Sequence, residues 1–173
     1  MFKKILVATH GTEGAKKAER YSYELAKIFG AELHGLYVIH KGWSSLIGIE
    51  WLHSSHTRME FYRYAESQFN LRANEVLESF KNIAADIKVT TSVKVGEPTE
   101  IILEEARVHN SDLIVIGCVS SVRSEEYKAR ISMKNLLKFA PCPVLLANNA
   151  PAIIKEGGET KSSNISALIG SNR

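Results

Sequence analysis

Apolar positions along this chain follow two rhythms. Short β-rich apolar runs, namely Ile5 to Thr9 in KKILVAT, LHGLYVI ending at Ile39, IKVTTSVKV, DLIVIG and PVLLA, are separated by longer stretches in which apolar residues recur at three and four. This alternation predicts βαβ units, hence a parallel sheet with helices on both faces. The first helix follows the turn HGTEG and carries Ala15, Ala18, Ser22, Leu25, Ala26 and Phe29 on a small apolar face. Gly30 sits where its C-cap wants a left-handed residue. Phe61, Ala65, Phe69, Ala73, Val76, Phe80 and Ile83 mark the stripe of a long second helix. The third opens at Pro98, whose missing N–H costs nothing in a first turn. Ala129, Met133, Leu136 and Ala140 pattern a fourth, stopped by Pro141. Five strands and four helices thus alternate over residues 1–148, an α/β domain followed by a polar extension over 149–173.

Two segments break the rhythm. KGWSSLIGIEWLHSSHT, Lys41 to Thr57, is long for a loop in a compact domain and holds both Trp43 and Trp51. It reads as a lid packed over the sheet edge, or as a partner or ligand contact. The extension from Asn149 to Arg173 is rich in Gly, Ser, Lys and Asn, which predicts a flexible tail unless a second subunit orders it.

Composition narrows the picture without specifying chemistry. At 173 residues, 45% apolar and 24% charged, the chain suits one domain with a buried core. A net charge of +3, scattered along the chain, does not suggest a nucleic-acid or membrane surface. MFKKILVATHG does not read as an export signal, and no apolar run approaches the ~20 residues of a membrane span, so the cytoplasm is the expected address. Cys118 and Cys142 lack metal-ligand spacing and read as small buried apolar residues.

The blocks KKILVATHGTEGAKKAERYSYELAKIFGAELHGLYVI, VKVGEPTEIILEEARVHNSDLIVIG and LLKFAPCPVLLA resemble, in order and spacing, those of the universal stress protein (UspA-like) family. The resemblance covers Phe2 to about Asn148. It implies an open, doubly wound five-stranded parallel sheet with four helices, and a homodimer whose last strands meet across the interface. Many members bind ATP through Gly, two residues, Gly, nine residues, then Gly followed by Ser or Thr. Glycines let backbone N–H groups approach phosphate, and the final pair opens a helix whose N-terminus favours anions. In VIGCVSSVRSEEYKARISM the first glycine is Gly117, but the second position is Ser120, the third Arg130 and the Ser/Thr position Ile131. One of four positions is kept. The Asp usual after the first strand is replaced by His10. The resemblance therefore implies an eroded ATP site, whose family positions fall on Thr9, His10, Val38, Gly117, Ser120, Arg130, Ile131 and Ser132. The alternative is an anion gripped by side chains, among them Ser121, Arg123, Ser124 and Lys128.

Catalysis and metal binding find little support in the sequence. His34, His40, His53, His56 and His109 look scattered, without HExxH or an i, i+4 metal pair. His53 and His56 could share a helical face but lack a third ligand nearby. Glu104 and Glu105 read as a solvated helix face, and Ser44, Ser45, Ser54 and Ser55 lack the strained turn that exposes a nucleophile. ILVATHGTE offers no acidic pair for the Mg²⁺ of a phosphorylation-controlled receiver. The expectation is a non-enzymatic, dimeric stress-response protein without cofactor or metal; the alternative is a member of the same fold that binds ATP or AMP, or slowly hydrolyses ATP.

Overall fold

The computed structural model describes residues 1–42, 55–117 and 131–147. Within them the chain forms β1 (Lys4–Thr9), α1 (Glu13–Phe29), β2 (Glu32–His40), α2 (Ser55–Ile83), β3 (Val89–Gly96), α3 (Pro98–Val108), β4 (Leu113–Gly117), α4 (Met133–Phe139) and β5 (Val144–Ala147). The strands make one sheet in the order β3-β2-β1-β4-β5, and every neighbouring pair is parallel. The α/β sheet expected from the alternation is therefore present.

Burial explains why these strands were legible. In β1 and β4 the residues Ile5, Leu6, Val7, Ile114, Val115 and Ile116 are all buried, because helices cover both faces of the centre of the sheet. Ile5, Val7, Leu33 and Val115 pack with Ala18 and Ala26 of α1 and Phe80 of α2. Leu6, Leu36, Val38, Ile114 and Ile116 pack on the other face against Ile102, Leu103 and Ala106 of α3 and Leu136 of α4. The edge strand β3 has no fully buried residue, so its alternation is weak. The α1 helix begins at Thr12, whose Oγ1 accepts from Ala15 N at 3.3 Å, and ends at the left-handed Gly30, as its sequence predicts.

The long helix differs from expectation at both ends. Helix α2 starts at Ser55, inside the predicted Lys41–Thr57 loop; Trp43 and Trp51 lie outside the described residues, as do Cys118, Ala129 and 149–173. Ile83 is 45% exposed and does not belong to the buried stripe, which consists of Ala65, Ala73, Val76, Leu77 and Phe80. The helix turns Ile83 away from the sheet at its last turn. At the other end Ser55 to Glu60 are all exposed and Ala65 is the first buried residue. Cys142 is half-buried with a free thiol. Among the described residues no helix is long and apolar enough to cross a membrane.

The chain leaves β1 toward β2 and β3 on one side, then returns through α3 to β4 on the other side of β1. The crevice at the carboxyl ends of β1 and β4 is the switch point where such sheets bind ligands. Its geometry depends on a close approach. A Cβ on Gly117, the last residue of β4, would stand 2.3 Å from the carbonyl carbon and oxygen of Gly14 and 2.5 Å from the Ala15 nitrogen. Only a residue without a side chain lets the first turn of α1 lie against the strand end. Gly117→Ala is expected to destabilise the fold by about 1–3 kcal/mol, because rigid backbone cannot yield as a side chain can; urea unfolding of the variant beside the wild type measures this.

Candidate functional site

Thr9 and His10 come off the end of β1 into the switch-point crevice. The Thr9 side chain is turned inward, its hydroxyl donating to a carboxylate oxygen of Glu19, a buried residue of α1. Gly11 follows with φ 71, a left-handed conformation, and a Cβ there would stand 2.7 Å from Val76 Cγ2 of α2. This turn brings the chain back so that Thr12 can cap α1. The His10 ring sits edge-on against Tyr37, its ring centroid 5.0 Å away. Burial and then the nearby Arg72 guanidinium hold the His10 pKa below its ordinary value, keeping the imidazole neutral. Its buried Nδ1 has no hydrogen-bond partner among the described residues.

The other side of the crevice begins at α4. Ile131, half-buried, packs against the apolar cluster of Leu36, Val38, Ile116 and Leu136. Ser132 caps α4 without a side-chain hydrogen bond, and its backbone N–H donates to Thr99 Oγ1 at 2.9 Å. Of the positions carried over from the family, Thr9, His10 and Gly117 end two adjacent strands at one crevice. Val38 is 7% exposed and belongs to the core, sharing it with Ile131. Ser120 and Arg130 lie outside the described residues. Arg72, Tyr37, Thr99 and Glu19 were missed by sequence reasoning. They sit on elements far apart in the chain, and only Glu19, a charge on the small apolar face of α1, left a local signal.

A second polar cluster lies where β2 and β3 pass under the end of α3, and it corrects the sequence reading. Glu105 is buried, not part of a solvated face, and His34 and His109 are not scattered but meet at it. One Glu105 oxygen, Oε1, lies 3.1 Å from Lys94 Nζ. The other, Oε2, lies 3.6 Å from His34 Nε2, 3.5 Å from His109 Nε2 and 3.2 Å from Ser92 Oγ. The two imidazoles stack with centroids 3.8 Å apart. His34 Nδ1 meets Thr90 Oγ1 at 2.7 Å. Burial and the neighbouring His109 push the His34 pKa down to about 4, outweighing the attraction of Glu105. Glu105 itself is drawn down: desolvation raises it, but Lys94, Ser92 and His109 together outweigh that. Two signals pointed here: Glu105 and His109 are four apart on one helix, and His34 interrupts an apolar strand.

Residues 1–148 match the model of the universal stress protein family. The chain is 28% identical over 148 residues to Universal stress protein MJ0531 of Methanocaldococcus jannaschii, covering 84% of this chain and 82% of that one. Among solved structures, the hypothetical protein MJ0577 superposes with a TM-score of 0.69 at 23% identity, over 88% of this chain and 99% of its own. A universal stress protein solved in complex with cAMP superposes with a TM-score of 0.58 at 16% identity, over 86% and 98%. At these identities the superpositions establish the fold.

Burial also sets a pH dependence at the crevice. It raises the Glu19 pKa above 4.5, and the Thr9 hydrogen bond and Lys16 only partly oppose the shift. The folded state therefore holds this proton more tightly than the unfolded chain, so the associated stability is present at acid pH and lost as pH rises through the folded pKa. Glu19→Gln keeps the shape without the buried charge. In urea titrations its stability relative to wild type should improve as pH rises above the ordinary carboxylate range.

Proposed function

This chain belongs to the universal stress protein family, and we propose that within it the protein is a non-enzymatic, dimeric stress-response protein that works through partner contacts and not by binding ATP. The entrance to α4 carries this reading. Where the family pattern brings bare backbone to phosphate, Ile131 packs into the apolar core and the Ser132 N–H is already spent on Thr99. Across the crevice the neutral His10 ring takes the place of the usual Asp. The kept Gly117 is needed for the contact with Gly14 whether or not phosphate binds.

One observation favours the second reading, an adenine nucleotide held through side chains. His10 Nδ1 is buried without a partner among the described residues, Arg72 adds positive charge beside it, and a relative of the same fold was solved with cAMP. Ser120, Arg130 and Ser132 would supply the phosphate contacts in that case. The cytoplasmic address is part of the same proposal and rests on the sequence.

ATP, AMP or cAMP at millimolar concentration is expected to leave the melting temperature unchanged. A ligand present at 100 times its dissociation constant adds about 2.7 kcal/mol to stability, so a rise of several degrees with any of the three establishes the nucleotide reading instead.

The dimer is assigned to the outer edge of β5. That strand ends the sheet, Leu146 on it is 43% exposed, and Leu137 and Phe139 of the preceding helix are 57% and 50% exposed. An open strand edge beside apolar side chains favours pairing with a second copy. Sedimentation velocity should show a dimer for the wild type and a folded monomer for Leu146→Asp; a monomeric wild type at high concentration removes the interface.

A further inference from the structure

We propose that His34, Glu105 and His109 form a binding site for a divalent transition-metal ion of the zinc type. Each offers one ligand atom, and the three atoms all lie within 4.8 Å of one another. A tetrahedral ion with bonds of about 2.0–2.1 Å separates its ligand atoms by about 3.3 Å. The distances from Glu105 Oε2 to the two imidazole nitrogens, 3.6 and 3.5 Å, need little contraction to reach that value. Two imidazoles and one carboxylate suit zinc, cobalt or nickel, and are too nitrogen-rich for calcium or magnesium.

The two imidazoles stack with planes 25° apart, so His109, the more exposed of the two, must turn its ring for both nitrogens to face one ion. Thr90 Oγ1 lies 2.7 Å from His34 Nδ1 and Ser92 Oγ lies 3.0 Å from its Nε2, so hydroxyls of β3 meet both ring nitrogens. With an ion bound at Nε2, Thr90 would accept from Nδ1–H, the arrangement by which an outer-shell partner sets a metal-binding histidine. Lys94 holds Oε1 of Glu105 and leaves Oε2 toward the imidazoles. His109 is also the C-cap of α3, the helix end at which the backbone dipole favours positive charge. Its side chain is 36% exposed, against 9% for His34 and 6% for Glu105, so the ion enters past His109. Three protein ligands leave a fourth position for water or a small ligand.

The site does not depend on the nucleotide question, since none of its residues ends β1 or β4. The test uses tag-free, full-length, chelator-treated protein titrated with Co²⁺ and with Zn²⁺. The expected result is one ion per chain, visible absorption bands of tetrahedral Co²⁺, and displacement by Zn²⁺. His109→Ala, at the most exposed ligand, should fold normally by circular dichroism and weaken binding at least about tenfold. Glu105→Gln should do the same if it folds. His56→Ala removes the separate exposed pair of His56 with Glu60, 3.6 Å apart, and should change nothing. Failure of the wild type to bind one equivalent, binding unmoved by His109→Ala, or binding lost in His56→Ala overturns the proposal.

Discussion

The arrangement at the crevice depends on one backbone contact, the first turn of α1 lying directly on the end of β4. Gly117 makes room for it, since any Cβ would fall within 2.3 Å of Gly14. With the helix held there, the link from β1 must be short and tightly bent, which Gly11 supplies at φ 71, and Thr12 is delivered to the cap position. The same closeness buries Glu19 against Thr9. A glycine that reads in sequence as a remnant of a phosphate loop is thus accounted for by packing. Its presence argues for neither reading of the crevice.

Much of the fold could be read from the chain because its centre is dry on both sides. Strands such as Ile5–Val7 and Leu113–Ile116 are apolar throughout, and α1 and α3 carry an N-cap, a Gly C-cap and an initial proline where those signals belong. The failures occurred where burial is decided by a distant partner. Glu105 stands beside the exposed Glu104 in a charged tract, and its contacts with His34 of β2 and with Ser92 and Lys94 of β3 mark it as an interior residue. Because β3 is an edge strand with polar residues on its α3 side, its weak alternation concealed those partners. Of the crevice, His10 and Gly117 were found through family resemblance, whereas Arg72 and Thr99 arrive from other helices and leave no mark near the motif.

Membership of the family fixes the architecture while leaving local chemistry free to differ. Relatives as little as 16% identical share the sheet over most of the chain, a likeness carried by apolar periodicity and strand order. Ile131 satisfies that periodicity as well as any apolar residue would. What it changes is the start of a short helix, where an apolar side chain packs on the core beside a Ser132 N–H already bonded to Thr99. Fold and site answer to different constraints, and a chain can satisfy the first while altering the second.

The length of α2 has its own consequence. Its 29 residues extend about 43 Å, well past the nine residues of β2 beneath it, and burial begins only at Ala65. One helix therefore contains two thermal regimes. The turns before Ala65 bury no side chain fully and open locally at lower cost than the turns packed on the sheet. The remainder, anchored through Phe80, melts only with the sheet.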